Sequence, residues 1–394
     1  MVLTSFLALA LALLMVGCTL PGLPSSNTKT AAATPAVPPA RPLSWQKRTL
    51  PIKTKFSDGT FSLANAEAAW ICTTTDSATK VWVSTDQAQH WHSTTDIKSA
   101  DAQPQDICFV TADAIDPKTA IVTIYHANDR IIASAQRITH DSGQTWSSID
   151  SPLPFAAALA SYHGTTFALF QQGVQYSALV ASSGGSHTWH RIDEHMPTQH
   201  PDDGRSVTRF WVNPVTGALL ADTLVDPGTA EKLLTSNDNG KTWNTVTWPA
   251  SYSTPTSHIF MVQMPIASGF WSICDTQYTG RTTITLACTW DSGKTWSKSE
   301  LALVPSQPFQ DIAIANDGSL LSVTFDINTS IQAQGIQRLA PGKKTWESLG
   351  PLPNLAYPTY NKFQYQPGNG TGYLWFMPQP HTQDTSVVYV ASYA

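Results

Sequence analysis

The sequence predicts an all-β protein, a propeller of four-stranded antiparallel blades, and three observations carry that prediction. An eight-letter phrase returns along the chain, as THDSGQTW at 139–146, SNDNGKTW at 236–243 and TWDSGKTW at 289–296. Weaker copies, STDQAQHW, SSGGSHTW and APGKKTW, end at Trp91, Trp189 and Trp346, so the closing tryptophans lie 55, 43, 54, 53 and 50 residues apart. A period near ~50 residues marks a propeller or a related repeat architecture. Between phrases, short apolar runs rich in β-branched and aromatic residues alternate with turn signals and show no helical period.

The run of residues 107–149 shows one repeat in full: ICFV, a turn at DAIDPKT, AIVTIY, a turn at HANDR, IIASAQRI, the phrase, then TWSSI. Residues 259–299 repeat the scheme with IFMVQ, FWSIC, TITLAC and TWSKS. Four strands per repeat, set radially, make a propeller blade. Each Trp opens a short extended tail that usually ends in Pro, and SWQKRTLP has that tail from Trp45 without a phrase before it. The last 40 residues supply three runs, NKFQYQ, GYLWFM and SVVYVASY, which lack a fourth strand. Pairing them with the strand after Trp45 closes the ring and removes an exposed edge. The reading is seven blades over 44–394, with six as the alternative.

The phrase explains itself chemically. A carboxylate between the third and fourth strands accepts hydrogen bonds from its own turn. Glycine two residues on supplies a positive φ. Tryptophan packs between neighbouring sheets. The structural positions are Asp86 and Trp91; Asp141, Gly143 and Trp146; Asp238, Gly240 and Trp243; and Asp291, Gly293 and Trp296. These aspartates stand singly, one per blade, which argues against acid–base or Ca²⁺ roles.

The pattern S/T-x-D-x-G-x-T-W resembles the Asp-box, or BNR repeat, of the sialidase-like propellers. The resemblance implies boxes on the face opposite any active site. Sialidases also need three arginines around a carboxylate, a Tyr–Glu pair and an acid Asp. The nearest text to the family's first arginine motif is KRTLPIK, and the chain holds nine Arg and five Glu with no assignable Tyr–Glu pair. No catalytic residue carries over. Assembly-factor propellers and sortilin-like ectodomains share the repeat and bind proteins or peptides. The expectation is therefore a non-catalytic propeller for a glycan, peptide or protein, with a sialidase or other glycoside hydrolase as the alternative.

Charged residues are 13 % of the chain, about half the usual share, and the net charge is −5. No basic field invites nucleic acid. The opening run MVLTSFLALALALLMVGCTL resembles a bacterial lipoprotein signal, with residues 1–17 removed and Cys18 lipidated. Residues 18–43 then form a tether rich in Pro, Ala, Ser and Thr. The expected location is the outer side of a bacterial membrane, held by lipid alone, as a monomer without metal or cofactor.

Antiparallel order puts the phrase turns and the first-to-second-strand turns on one face. A ligand is expected on the other, whose loops carry Arg130, Asp226, Tyr278 and Arg281, with Glu194, Arg205, Tyr252, Tyr357 and Tyr360 on blade connections. His187, His190, Glu194, His195, His200, Asp202 and Asp203 form a local cluster whose spacing fits no zinc pattern, so it reads as a solvated connection. Four cysteines remain beyond Cys18 in an exported chain. Cys274 and Cys288 flank one hairpin turn and are expected to bridge; Cys72–Cys108 is the weaker pairing.

Overall fold

Short β-branched and aromatic runs punctuated by Gly, Pro, Asn and Asp form strands because each pleated surface packs against the next. The computed structural model describes residues 39–394 apart from 53–60, 76–77, 99–105, 127–131, 173–175, 185–187, 198–205, 225–231, 247–258, 264–271, 279–282, 290, 303–308, 327–331, 354–361, 367–370, 378–386 and 394. The chain divides into two units, Met1–Pro38 and Pro39–Ala394, and the described residues belong to the second. Cys18 and most of the tether lie outside them.

The first strand is β1 (Gln46–Thr49). Blade 1 holds β2 (Phe61–Leu63), β3 (Ala69–Thr74), β4 (Thr79–Ser84) and β5 (His92–Ser93). Blade 2 holds β6 (Ile107–Ala112), β7 (Ala120–His126), β8 (Ile132–Thr139) and β9 (Ser147–Ser148). Blade 3 holds β10 (Phe155–Tyr162), β11 (Thr165–Gln172), β12 (Tyr176–Ser183) and β13 (His190–Arg191). Blade 4 holds β14 (Ser206–Val212), β15 (Leu219–Leu224), β16 (Lys232–Ser236) and β17 (Asn244–Thr245). Blade 5 holds β18 (Ile259–Gln263), β19 (Ser272–Tyr278), β20 (Thr283–Thr289) and β21 (Ser297–Ala302). Blade 6 holds β22 (Phe309–Ile314), β23 (Leu320–Asp326), β24 (Gln332–Leu339) and β25 (Glu347–Pro351). The last sheet joins β26 (Lys362–Gln366), β27 (Gly372–Met377) and β28 (Val387–Tyr393) to β1. The described strands thus make seven four-stranded antiparallel sheets. Gln46 pairs with Val390 and Thr49 with Val387, so the two ends of the propeller chain close one blade.

Every phrase sits between the third and fourth strands, and the four that keep the aspartate repeat its bonding. Asp141 Oδ1 accepts from Thr139 Oγ1 at 2.7 Å and from the Thr145 N–H at 2.9 Å, while Oδ2 accepts from Thr145 Oγ1 at 2.6 Å. Thr139 Oγ1 in turn accepts from the Gly143 N–H at 2.9 Å. Ser236–Asp238–Thr242 and Thr289–Asp291–Thr295 show the same bonds. In blade 1 the His90 ring replaces the second hydroxyl, with Nδ1 at 2.6 Å from Asp86 Oδ2. Two residues of each turn are left-handed, as at Asn239 and Gly240 with φ of 59° and 83°.

Cores form between blades. Trp146 packs with blade 1 residues Trp70, Cys72 and Val81, and Trp70 meets it edge-on at 6.3 Å between ring centroids. Trp189 joins Ile121 and Ile138 of blade 2, and Trp296 joins Leu220 and Leu233 of blade 4. The Trp243 indole N–H donates to the Ile192 carbonyl of blade 3 at 2.9 Å. These tryptophans thus tie blades 2 to 5 each to the blade before it. At the closure, Arg48 in the tail after Trp45 donates from Nε to the Gln87 carbonyl at 3.3 Å.

Cys72 on β3 and Cys108 on β6 are bridged, with Cα atoms 6.2 Å apart, so a disulfide joins blades 1 and 2. Cys288 is also disulfide-bonded, and Cys274 stands opposite it in the β19–β20 ladder.

The turn carboxylates make stability depend on acid. Asp86, Asp141 and Asp238 are held down to about 2, and Asp291 is lowered as well. For Asp238 and Asp291 the hydroxyl bonds from Thr242 and Thr295 do most of this. For Asp86 and Asp141 burial pulls upward, and the bonds from His90 and Thr145, with Ser84 and Thr139, outweigh it. A depressed carboxyl contributes stability above its unfolded value that is lost as pH falls through the folded one. Asp222 acts oppositely. Burial pushes it up to about 6, so its contribution fades as pH rises toward that value. Asp238→Asn should therefore be less stable than wild type at pH 6, with the gap closing as the pH is lowered from about 4 to about 2. Urea unfolding across that range checks this, and a gap independent of pH would contradict it.

Candidate binding cavity at the end of the channel

The first strand of each blade faces the central channel. Neighbouring inner elements run parallel, as in the bridge of Asp113 to Leu159, where the Ala114 N–H donates to the Leu159 carbonyl at 2.9 Å. The turns that end these strands are built on side-chain amides and carboxylates. Asn65 Oδ1 accepts from the Glu67 and Ala68 N–H groups, Asp113 Oδ1 from Ile115 and Asp116, and Asn213 Oδ1 from Val215 and Thr216. A short polar side chain that mimics a backbone turn fixes each hairpin.

A cavity of about 530 Å³ opens among these turns. Inner strands β2, β6, β10, β14 and β26 supply its wall, with Asn65, Ala114, Ile115 and Pro214 from the turns. It therefore lies at the end of the channel that shares a face with the aspartate turns. Its described wall is aliphatic and aromatic, with Ser, Thr, Asn, Gln and Tyr365 as its polar members and no carboxylate, histidine, lysine or arginine. Tyr365 is pushed up to about 12 by burial and accepts from the Asn316 N–H at 3.0 Å. It stays a neutral phenol at ordinary pH.

Two carboxyls with raised values lie elsewhere. Asp113 is fully buried, raised by that burial, and folded into its own turn. Asp222 on β15 is 1 % exposed, with Arg209 Nε at 3.9 Å. Neither forms part of the cavity wall.

The residues expected to bind ligand fall mostly outside the described part. Arg130, Arg205, Asp226, Tyr252, Arg281, Tyr357 and Tyr360 lie outside it, and Tyr278 is placed only as the last residue of β19. Glu194 is exposed in a short 3₁₀ turn, Asp193–His195, next to the Arg191–Asp193 ion pair at 2.9 Å. His187, His200, Asp202 and Asp203 are also outside. Among the described residues no three His, Cys, Asp or Glu side chains gather as a metal site. Of the expected ligand residues only Glu194 and Tyr278 are among the described ones, and the described cavity lies on the other face. No local sequence pattern marks that cavity, because its lining comes from five separate strands and the turns that follow them.

Fold and cavity define the class: a β-propeller with an uncharged pocket at one end of its channel. No family model and no curated protein matches the chain. Solved propellers do. YCF48 from Cyanidioschyzon merolae is 14 % identical, with 88 % of this chain and 98 % of that one covered and a TM-score of 0.52. YCF48 bound to a D1 peptide gives 12 %, 90 %, 99 % and 0.50 for the same quantities. Oligogalacturonate lyase from Vibrio parahaemolyticus gives 9 %, 90 %, 97 % and 0.52. At such identities the likeness is one of fold, and that fold serves both binding proteins and enzymes.

Proposed function

We propose that the chain is a non-catalytic propeller that binds a peptide or protein partner, exported and held at a membrane through lipidated Cys18. The observation that carries the binding reading is the cavity wall. Glycoside hydrolysis needs an acid and a base or nucleophile flanking the bond, and the described wall supplies neither. The phrase's likeness to the Asp-box of sialidases is then a likeness of scaffold, since its aspartates are consumed by their own turns. A propeller of this fold holds a peptide in the YCF48 complex, which shows that the architecture can do so. The apolar leader and the Pro/Ala-rich tether before residue 44 support the location.

In-cell photo-crosslinking tests this. A photoreactive residue at exposed Val215 on one face, and at exposed Tyr176 at the start of β12 on the other, should give a discrete protein adduct from at least one. Cys18→Ala should release the protein from membranes. Purified protein should not turn over a fluorogenic sialoside. Turnover abolished by one Tyr or Glu substitution would overturn the reading in favour of the hydrolase.

A further inference from the structure

We infer that the cavity beside the aspartate turns receives an uncharged aromatic or branched aliphatic side chain of the bound peptide. The inference rests on the binding reading above and adds the site and the chemistry. Three observations lead to it. The described wall holds Leu63, Ile115, Leu159, Phe210, Trp211 and a run of alanines, and no ionised group. A charged residue entering there would shed its hydration without gaining a counter-ion.

Four polar atoms of the wall are engaged with the protein. Ser62 Oγ accepts from the Ala112 N–H at 3.0 Å, and Thr111 Oγ1 donates to the Ala156 carbonyl at 2.5 Å. Asn65 Oδ1 and the Tyr365 hydroxyl accept backbone N–H groups at 2.9 and 3.0 Å. A sugar needs several hydroxyls matched at once, whereas an apolar side chain against this mostly apolar wall needs none.

The turns at the mouth extend the apolar surface. Val215, 47 % exposed, follows cavity-lining Pro214, and its carbonyl accepts from the Tyr162 hydroxyl at 2.9 Å. Tyr162 in turn packs with Ile115 against the same core. A large exposed aliphatic residue continuous with an apolar cavity is the layout of a side-chain receptor with a rim for the flanking backbone.

The test uses neutral and charged capped amino acids as probes in saturation-transfer NMR on the intact protein. N-acetyl-tryptophanamide and N-acetyl-leucinamide should bind at about millimolar affinity, with N-acetyl-lysinamide and free sialic acid giving no transfer. Ala157→Trp places an indole on the cavity wall and should cut the tryptophanamide signal at least about fivefold. Ala114→Trp, at an exposed turn position on the same wall, gives a second block should Ala157→Trp not fold. Absence of transfer to the neutral probes, transfer undiminished from wild type in both filled variants, or binding of sialic acid lost on filling would each overturn the inference. A crosslinked partner together with a cavity indifferent to neutral probes would leave the binding reading standing and remove this one.

Discussion

Arg338→Ala should destabilise the propeller by about 3 kcal/mol, the range seen when one partner of a buried ion pair is removed. The phrase of blade 6, APGKKTW, has lost its aspartate, and Arg338 lies just ahead of it on β24. Arg338 is 3 % exposed, and its side chain reaches the blade's own first turn. Its Nε donates to Ser319 Oγ at 2.9 Å and its Nη2 to Asp317 Oδ2 at 3.0 Å. Tyr393, on the third strand of the next blade, donates to the same oxygen at 3.1 Å, and the guanidinium lies 5.9 Å from its ring centroid. One cation thus binds turn, strand and neighbouring blade where the aspartate turn is missing. Arg338→Lys keeps the charge but not the fork, so it should recover only part of the loss. Arg338→Met with Asp317→Asn removes both charges and should cost less than Arg338→Ala alone. Urea unfolding of the four proteins checks the order. Equal stability of wild type and Arg338→Ala would show that the network adds nothing.

The contrast between those two kinds of tie explains what could be read from the sequence. The aspartate turn is local: donor, acceptor and positive-φ residue all fall within eight letters, so the phrase announces its geometry. Ring closure was legible for the same reason, because the tail after Trp45 is spelled like the other tails. Arg338 and Asp317 are 21 residues apart and Tyr393 is 76 from Asp317, and no spacing rule connects them. The Cys72–Cys108 bridge ranked second in the sequence because it joins different blades, while the hairpin pair Cys274 and Cys288 could be placed from one turn. The cavity was illegible because five inner strands, far apart in the chain, each give it two to four residues. Any of those residues alone reads as ordinary core.

The same locality has a limit that the phrase glycines expose, and their replacement by alanine should show it as a graded series. Each has a positive φ, of 77° at Gly143, 83° at Gly240 and 83° at Gly293, and Gly184, which stands at the aspartate's place in the blade 3 copy, has one of 67°. Strain alone would cost about 1 kcal/mol at every one. Their surroundings differ. A Cβ at Gly143 would stand 2.5 Å from Thr94 Cβ, and one at Gly240 would stand 2.7 Å from Ile192 Cβ. At Gly293 the nearest atom, Val246 Cγ1, is 3.1 Å away, and at Gly184 there is nothing within 4 Å. Thr94, Ile192 and Val246 are each the third residue after the preceding blade's tryptophan. The glycine is therefore the seat for the neighbouring tail, besides shaping its own turn. Gly143→Ala and Gly240→Ala should cost about 2–4 kcal/mol, combining strain with overpacking. Gly293→Ala should fall between them and Gly184→Ala, which should lose only the strain. Adding Ile192→Ala to Gly240→Ala should return part of its overpacking cost, as a coupling in a double-mutant cycle. Equal losses at all four glycines, with no coupling to Ile192, would mean that only the turn's own conformation requires glycine and that the seat between blades is incidental.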